Sequence, residues 1–72
     1  MIVVYSKDAC PKCSQAIMLL KMKGVDHEVK KLGVDYSLEE IKALAEGQRE
    51  FPVIFNGGNK IGGLEQLKAY LK

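Results

Sequence analysis

The first five residues, Met1 to Tyr5 (MIVVY), form a short, β-branched and almost wholly apolar run. A run of this kind fits a buried strand at the centre of a sheet, and the rest of the chain has to build the sheet around it. Pro11 suits the first position of a helix, because it lacks the backbone donor that would be left unpaired there. From Cys13 the apolar positions Ala16, Ile17 and Leu20 repeat at helical spacing, and Gly24 supplies a stop. Met18, Leu19 and Met22 widen that stripe, which predicts a helix packed on more than one neighbour. The stretch from Asp26 to Leu32 (DHEVKKL) predicts a second strand with one solvent-facing side. A strand–helix–strand opening is parallel, with a right-handed crossover.

Ser37 followed by Glu40 makes a capping box, and Leu38, Ile41, Leu44 and Ala45 trace a second amphipathic helix that Gly47 can end. Val53, Ile54 and Phe55 predict a strand. The turn sequence NGGN, Asn56 to Asn59, then sends the chain back through Lys60 and Ile61. After Gly62 and Gly63, the residues Leu64, Leu67 and Leu71 mark a final helix. The expected order is β-α-β-α-β-β-α: one α/β domain over residues 1–72, with a single mixed sheet of four strands flanked by three helices.

Composition narrows the function classes. The chain is 47% hydrophobic and 28% charged, as an ordinary soluble domain is. No apolar run approaches the roughly 20 residues that span a bilayer, and no charged-then-apolar leader precedes the first strand. A cytoplasmic monomer without a membrane partner is the expectation. The formal charge of +2 comes from eleven basic and nine acidic side chains mixed along the chain. Nucleic acid is met by a concentrated basic face, so it is not an expected partner.

The two cysteines, Cys10 and Cys13, lie in YSKDACPKC, Tyr5 to Cys13. A bridge between them would close a loop of only four residues. In the chain-entropy model such a short loop contributes about 2 kcal/mol at most, so a structural staple is the weakest reading. A zinc site lacks ligands, because His27 is the single histidine. A redox pair fits best. On the predicted scaffold Cys10 arrives at the start of the first helix, where the macrodipole is positive and unpaired N–H groups can donate to a sulfur anion. Lys12 inside the motif and Lys7 before it add positive charge, while Asp8 opposes them. Such surroundings lower a cysteine from about 8.5 to between roughly 3.5 and 7.5. Cys10 is then the attacking thiolate, and Cys13, one turn in and more enclosed, resolves the mixed disulfide.

A Cu(I) metallochaperone is the rival from another class, since two soft thiolates between a first strand and a first helix can hold Cu(I). Such chaperones usually carry methionine two positions before the first cysteine, where Asp8 stands here, and they finish on a strand.

Three separated stretches resemble the glutaredoxin branch of the thioredoxin fold. YSKDACPKC is similar to the family's active-site segment, with Lys7, Cys10, Pro11 and Cys13 in register. GQREFPVIF, Gly47 to Phe55, is similar to its segment ending in a cis proline, here Pro52, and IGGLEQL, Ile61 to Leu67, to its double-glycine segment. The resemblance implies a glutathione-dependent thiol–disulfide oxidoreductase acting on protein disulfides or glutathione mixed disulfides. Glutathione would be a co-substrate, with no tightly bound cofactor or metal. It implies that the backbone of Phe51 pairs with an extended thiol peptide, and that Gly63, Leu64 and Glu65 receive the γ-glutamyl carboxylate. Lys7 and Gln48, with Arg49 as a helper, are matched to the glycine-end carboxylate.

The family commonly has an aromatic residue at Lys12, threonine at Glu50, valine at Phe51 and aspartates at Glu65 and Gln66. These departures leave room for an alternative donor, thioredoxin reductase, as in the glutaredoxin-like donors of ribonucleotide reductase. Those donors usually lack the paired glycines. Iron–sulfur cluster carriage is a remoter alternative that Pro11 disfavours.

Overall fold

The computed structural model describes residues 1–48 and 50–72. Its elements are β1 (Ile2–Ser6), α1 (Pro11–Met22), β2 (His27–Lys31), α2 (Leu38–Leu44), β3 (Val53–Asn56), β4 (Asn59–Gly62) and α3 (Leu64–Tyr70). The order is the expected one, and the sheet runs β2-β1-β3-β4. β1 is therefore interior, parallel to β2 and antiparallel to β3.

Local signals account for most element ends. Gly24 takes a left-handed φ of 67° and its N–H bonds back to the Lys21 carbonyl, which closes α1. The Ser37 hydroxyl accepts from the Glu40 N–H at 3.2 Å while the Glu40 carboxylate accepts from the Ser37 N–H at 3.1 Å, so both halves of the capping box form. α2 ends at Leu44, with Ala45 as its cap, shortly before Gly47. The β3–β4 hairpin turns at Gly57 and Gly58, and Asn56 pairs with Asn59. The register then shifts, leaving Ile61 as the extra residue of a bulge before Gly62 pairs with Ile54.

The two faces of the sheet carry separate cores. On one face Ile2, Val4 and Ile54 pack under α1 and α3 with Ala16, Leu20, Leu64 and Leu67. On the other, Tyr36 and Val53 pack with Ile41 of α2 and its cap Ala45, joined by the half-buried Tyr5, Phe51 and Phe55. The alternation of β1 feeds both cores. α1 does pack on more than one neighbour, through Ala16, Ile17, Leu19 and Leu20. Met18 and Met22 are a correction to the widened stripe, because they are 62% and 78% exposed. They lie one turn apart on the side of α1 away from β1 and α3. Leu38 and Leu44 of α2 are likewise about half exposed.

Candidate active site

The register assembles the site. β1 runs outward to Ser6 and into the segment that holds Cys10. Because β3 is antiparallel to it, with Val53 opposite Tyr5, Phe51 and Pro52 enter the sheet at the end where β1 leaves it. β4 returns alongside β3 with Gly62 opposite Ile54, which brings Gly63 and the start of α3 to the same end. Three segments distant in sequence thus converge at one end of the sheet.

The cysteine segment is shaped by a tight exit from β1. Only four residues lie between Ser6 and Pro11. Ala9 adopts a left-handed φ of 55°, a conformation that costs a residue with a β-carbon roughly 1–2 kcal/mol. Two contacts anchor the segment. The buried Tyr36 hydroxyl donates to the Ser6 carbonyl at 2.6 Å, where the Leu32 N–H also donates at 2.9 Å. Asp8 meets the Lys31 ammonium at 2.8 Å. The hydrogen bond and charge of Asp8 hold Lys31 above the ordinary lysine value. Asp8 is thus drawn towards β2.

Cys10 is the N-cap of α1, with Pro11 as the first helical residue. Its Sγ accepts from the Cys13 N–H at 3.1 Å, which gives a sulfur at this place a backbone donor. Cys10 is half-buried and Cys13 only 2% exposed, and the two are joined as a disulfide. The sulfurs therefore differ in access as the sequence predicts. Cys10 lies in a shallow depression of about 570 Å³ with Lys7, Asp8, Ala9, Pro11 and Ser14.

A groove of about 550 Å³ lies alongside, lined by Lys12, Gln48, Glu50, Phe51, Gly63 and Glu65 among others. The Phe51–Pro52 bond is cis, and Pro52 is fully buried. The Gln48 amide donates to the carbonyls of Glu50 at 3.0 Å and Pro52 at 3.1 Å, bracing the strand entry. The Lys7 ammonium lies 5.1 Å from the centre of the Phe51 ring, a cation–π contact. Lys12 forms an ion pair with Glu50 at 3.7 Å. Leu64 is buried in the core under the groove, Glu65 is exposed at the first turn of α3, and Arg49 lies outside the described residues.

Gly62 adopts a φ of 123°, and a β-carbon there would come within 2.9 Å of the Gln66 side chain. Gln66 folds back so that its Oε1 accepts from the Gly63 N–H at 2.9 Å. Sequence reasoning missed Gln66 as a cap, and also Tyr36, Ala9 and the bracing role of Gln48. The spacing of Gly63 and Gln66, that of an N-cap and its third helical residue, was a signal for the first. The others are tertiary contacts or conformations without a local signature. Among the described residues, no cluster of three or more His, Cys, Asp or Glu side chains could hold a metal ion.

Comparison with known proteins gives this geometry a family. The Glutaredoxin family model matches residues 2–61. A glutaredoxin from Ricinus communis is 41% identical over 71 residues, covering 94% of this chain and 70% of that protein. Hybrid peroxiredoxin hyPrx5 of Haemophilus influenzae is 36% identical over 69 residues, which is 96% of this chain but 28% of the longer protein. Among solved structures, the buckwheat glutaredoxin–glutathione complex superposes with a TM-score of 0.75 at 30% identity, covering 94% of this chain and 64% of that one. With the family model spanning most of its length and the cysteine pair at the head of α1, this chain belongs to the glutaredoxin family, whose chemistry is thiol–disulfide oxidoreduction.

Proposed function

We propose that this protein reduces protein disulfides or glutathione mixed disulfides through Cys10 and Cys13, and that glutathione supplies the electrons. The observation that carries the reading is the asymmetry of the pair. Cys10 caps a helix where solvent reaches it, and Cys13 is enclosed one turn in. In the reduced protein the Cys10 thiolate attacks one sulfur of a substrate disulfide, and the other sulfur leaves as a thiolate that takes up a proton. Cys13 loses its proton and attacks the Cys10 sulfur of the mixed disulfide, releasing the second half of the substrate as a thiol. The protein is left with the Cys10–Cys13 disulfide, and the substrate has gained two electrons and two protons. Two glutathione molecules then return the protein to its dithiol form and become glutathione disulfide.

The glutathione complex of the buckwheat relative supports this donor. In this reading the backbone of Phe51, beside Pro52, pairs with the cysteinyl part of glutathione. The γ-glutamyl carboxylate is received at Gly63, Leu64 and Glu65, where the first turn of α3 leaves the N–H groups of Leu64 and Glu65 without helical partners and Gln66 gives up the Gly63 N–H that it caps. Lys7 serves the glycine end, and Gln48 joins it there by turning one amide hydrogen from the exposed Glu50 carbonyl to the carboxylate. Pro11 and Lys12 shape the helix end that carries the thiolate. The similarity to hyPrx5 makes a peroxiredoxin a candidate protein substrate beside ribonucleotide reductase.

A Cys13→Ser variant incubated with oxidised glutathione tests nucleophile, docking and donor together. The expected product carries one glutathione on Cys10, found by mass spectrometry of the intact protein and its peptides. No adduct, together with turnover supported by thioredoxin reductase, would replace glutathione with the alternative donor. Alkylation of the reduced protein should titrate at lower pH for Cys10 than for a free thiol, with Cys13 reacting slowly. Equal, high midpoints would remove the division of labour between the two sulfurs.

A further inference from the structure

We propose that Glu50 sets the charge preference of this site, and that it does so by holding Lys12. The inference rests on the thiol–disulfide reading and deepens it by naming what tunes the site: Glu50 lowers, without abolishing, the advantage that the Lys12 charge gives to disulfides whose flanks carry carboxylates, those of glutathione among them. Lys12 stands between the two cysteines on the first turn of α1. Its ammonium meets the Glu50 carboxylate at 3.7 Å, reaching from the helix to the segment that leads into Pro52. Both residues line the groove beside the cysteine pair.

The pair contributes little to the fold. Its side chains are 58% and 83% exposed, and exposed ion pairs are screened and readily opened. Its effect falls on what approaches Cys10. The other charged side chains lining the groove, among the described residues, are Lys60 and Glu65, and Glu65 is matched by Lys68 at 3.7 Å. Two lysines thus face two glutamates across the lining, with no net formal charge. Lys7, another cation near Cys10 among the described residues, lies over the Phe51 ring and outside this groove's lining. Of the two lysines in the groove lining among the described residues, Lys12 is the one that stands between the cysteines, and Glu50 already occupies the ammonium that a carboxylate arriving there would meet.

The test compares two small disulfides of similar reactivity, one bearing carboxylates (3,3′-dithiodipropionate) and one neutral (bis(2-hydroxyethyl) disulfide). Single-turnover oxidation of the reduced protein is followed for the wild type, Glu50→Gln, Lys12→Gln and the double variant. Glu50→Gln is expected to raise the anionic-to-neutral rate ratio about threefold to fivefold at low ionic strength, the scale of one exposed charge contact. The gain should shrink towards nothing near 1 M salt, where the screening length is about 3 Å. In the Lys12→Gln background the same substitution should leave the ratio nearly unmoved.

An unaltered ratio in Glu50→Gln overturns the proposal. So does an equal rise in the Lys12→Gln background, because Glu50 would then repel anions directly rather than by holding Lys12. If the reduced wild type reacts with neither disulfide, the thiol–disulfide reading itself fails. A reactive wild type with an insensitive ratio removes the Glu50 proposal alone.

Discussion

The face of the sheet under α1 and α3 and the face under α2 are built from different materials. The first is aliphatic and closed, with Val4, Ala16, Leu20, Ile54 and Leu67 all at 0% exposure beneath two helices. The second is largely aromatic and more open. Tyr5 packs edge-to-face against Tyr36 at 5.1 Å and Phe55 at 5.8 Å, and only the seven-residue α2 lies over them. A groove of about 500 Å³, lined in part by Leu38, Ile41, Ala45, Phe51 and Val53, remains along α2. The helix that presents the sulfurs is bolted to the closed face, while the entry to β3 opposite them borders the open one. Rigid support thus goes to the cysteine pair, and adaptable surface goes to the side a substrate meets.

Four substitutions would break or sharpen this contrast. Leu67→Ala on the closed face should cost about 3 kcal/mol, since two packed helices leave little room to collapse around the lost volume. Chemical denaturation would measure it, and the loss would be a large fraction of the roughly 4–11 kcal/mol open to a chain of this size. Ile41→Ala on the open face should cost less, about 2 kcal/mol, because the neighbouring groove lets side chains relax. Equal costs for the two would contradict the difference in packing.

Tyr36→Phe should cost about 1 kcal/mol at neutral pH, because the Ser6 carbonyl keeps its bond from the Leu32 N–H when the hydroxyl is lost. Its clearer signature is alkaline. Burial, assisted by neighbouring Tyr5, pushes the Tyr36 hydroxyl from the ordinary 10.0 up to about 12. Below pH 10 the residue is neutral folded or unfolded and its contribution is intact. Between pH 10 and about 12 the unfolded chain ionises first, so stability falls as pH rises. Denaturation midpoints of the Tyr36→Phe variant should fall less steeply across that window than those of the wild type. Smallest of all, Leu44→Gln on exposed α2 should change stability by less than about 0.5 kcal/mol. A large loss would show that this leucine is covered in solution.

Much of the site was readable in the chain because its signals are local. Pro11 at the first helical position, the apolar strand before it and the cysteine spacing place both sulfurs at a helix start without reference to distant residues. The Ser37–Glu40 box and the Gly24 stop were legible for the same reason. The left-handed Ala9 carried no such mark, since the conformation is forced by the short passage from β1 to α1 and not by its side chain. Met18 and Met22 show another limit. Periodicity reveals that a helix has an apolar face, but its width does not say how much of it neighbouring elements will cover.

The order of elements and the position of the thiol pair were determined by the sequence alone, because helix starts, stops and strand runs are decided over a few neighbouring residues. Tertiary structure decided what surrounds the pair. The antiparallel register of β3 on β1 brings Glu50 to Lys12 and Phe51 to Lys7, partners separated by most of the chain. Those contacts depend on which strands pair and which face each helix covers. That choice is made by packing the whole core, and no short stretch of the chain encodes it.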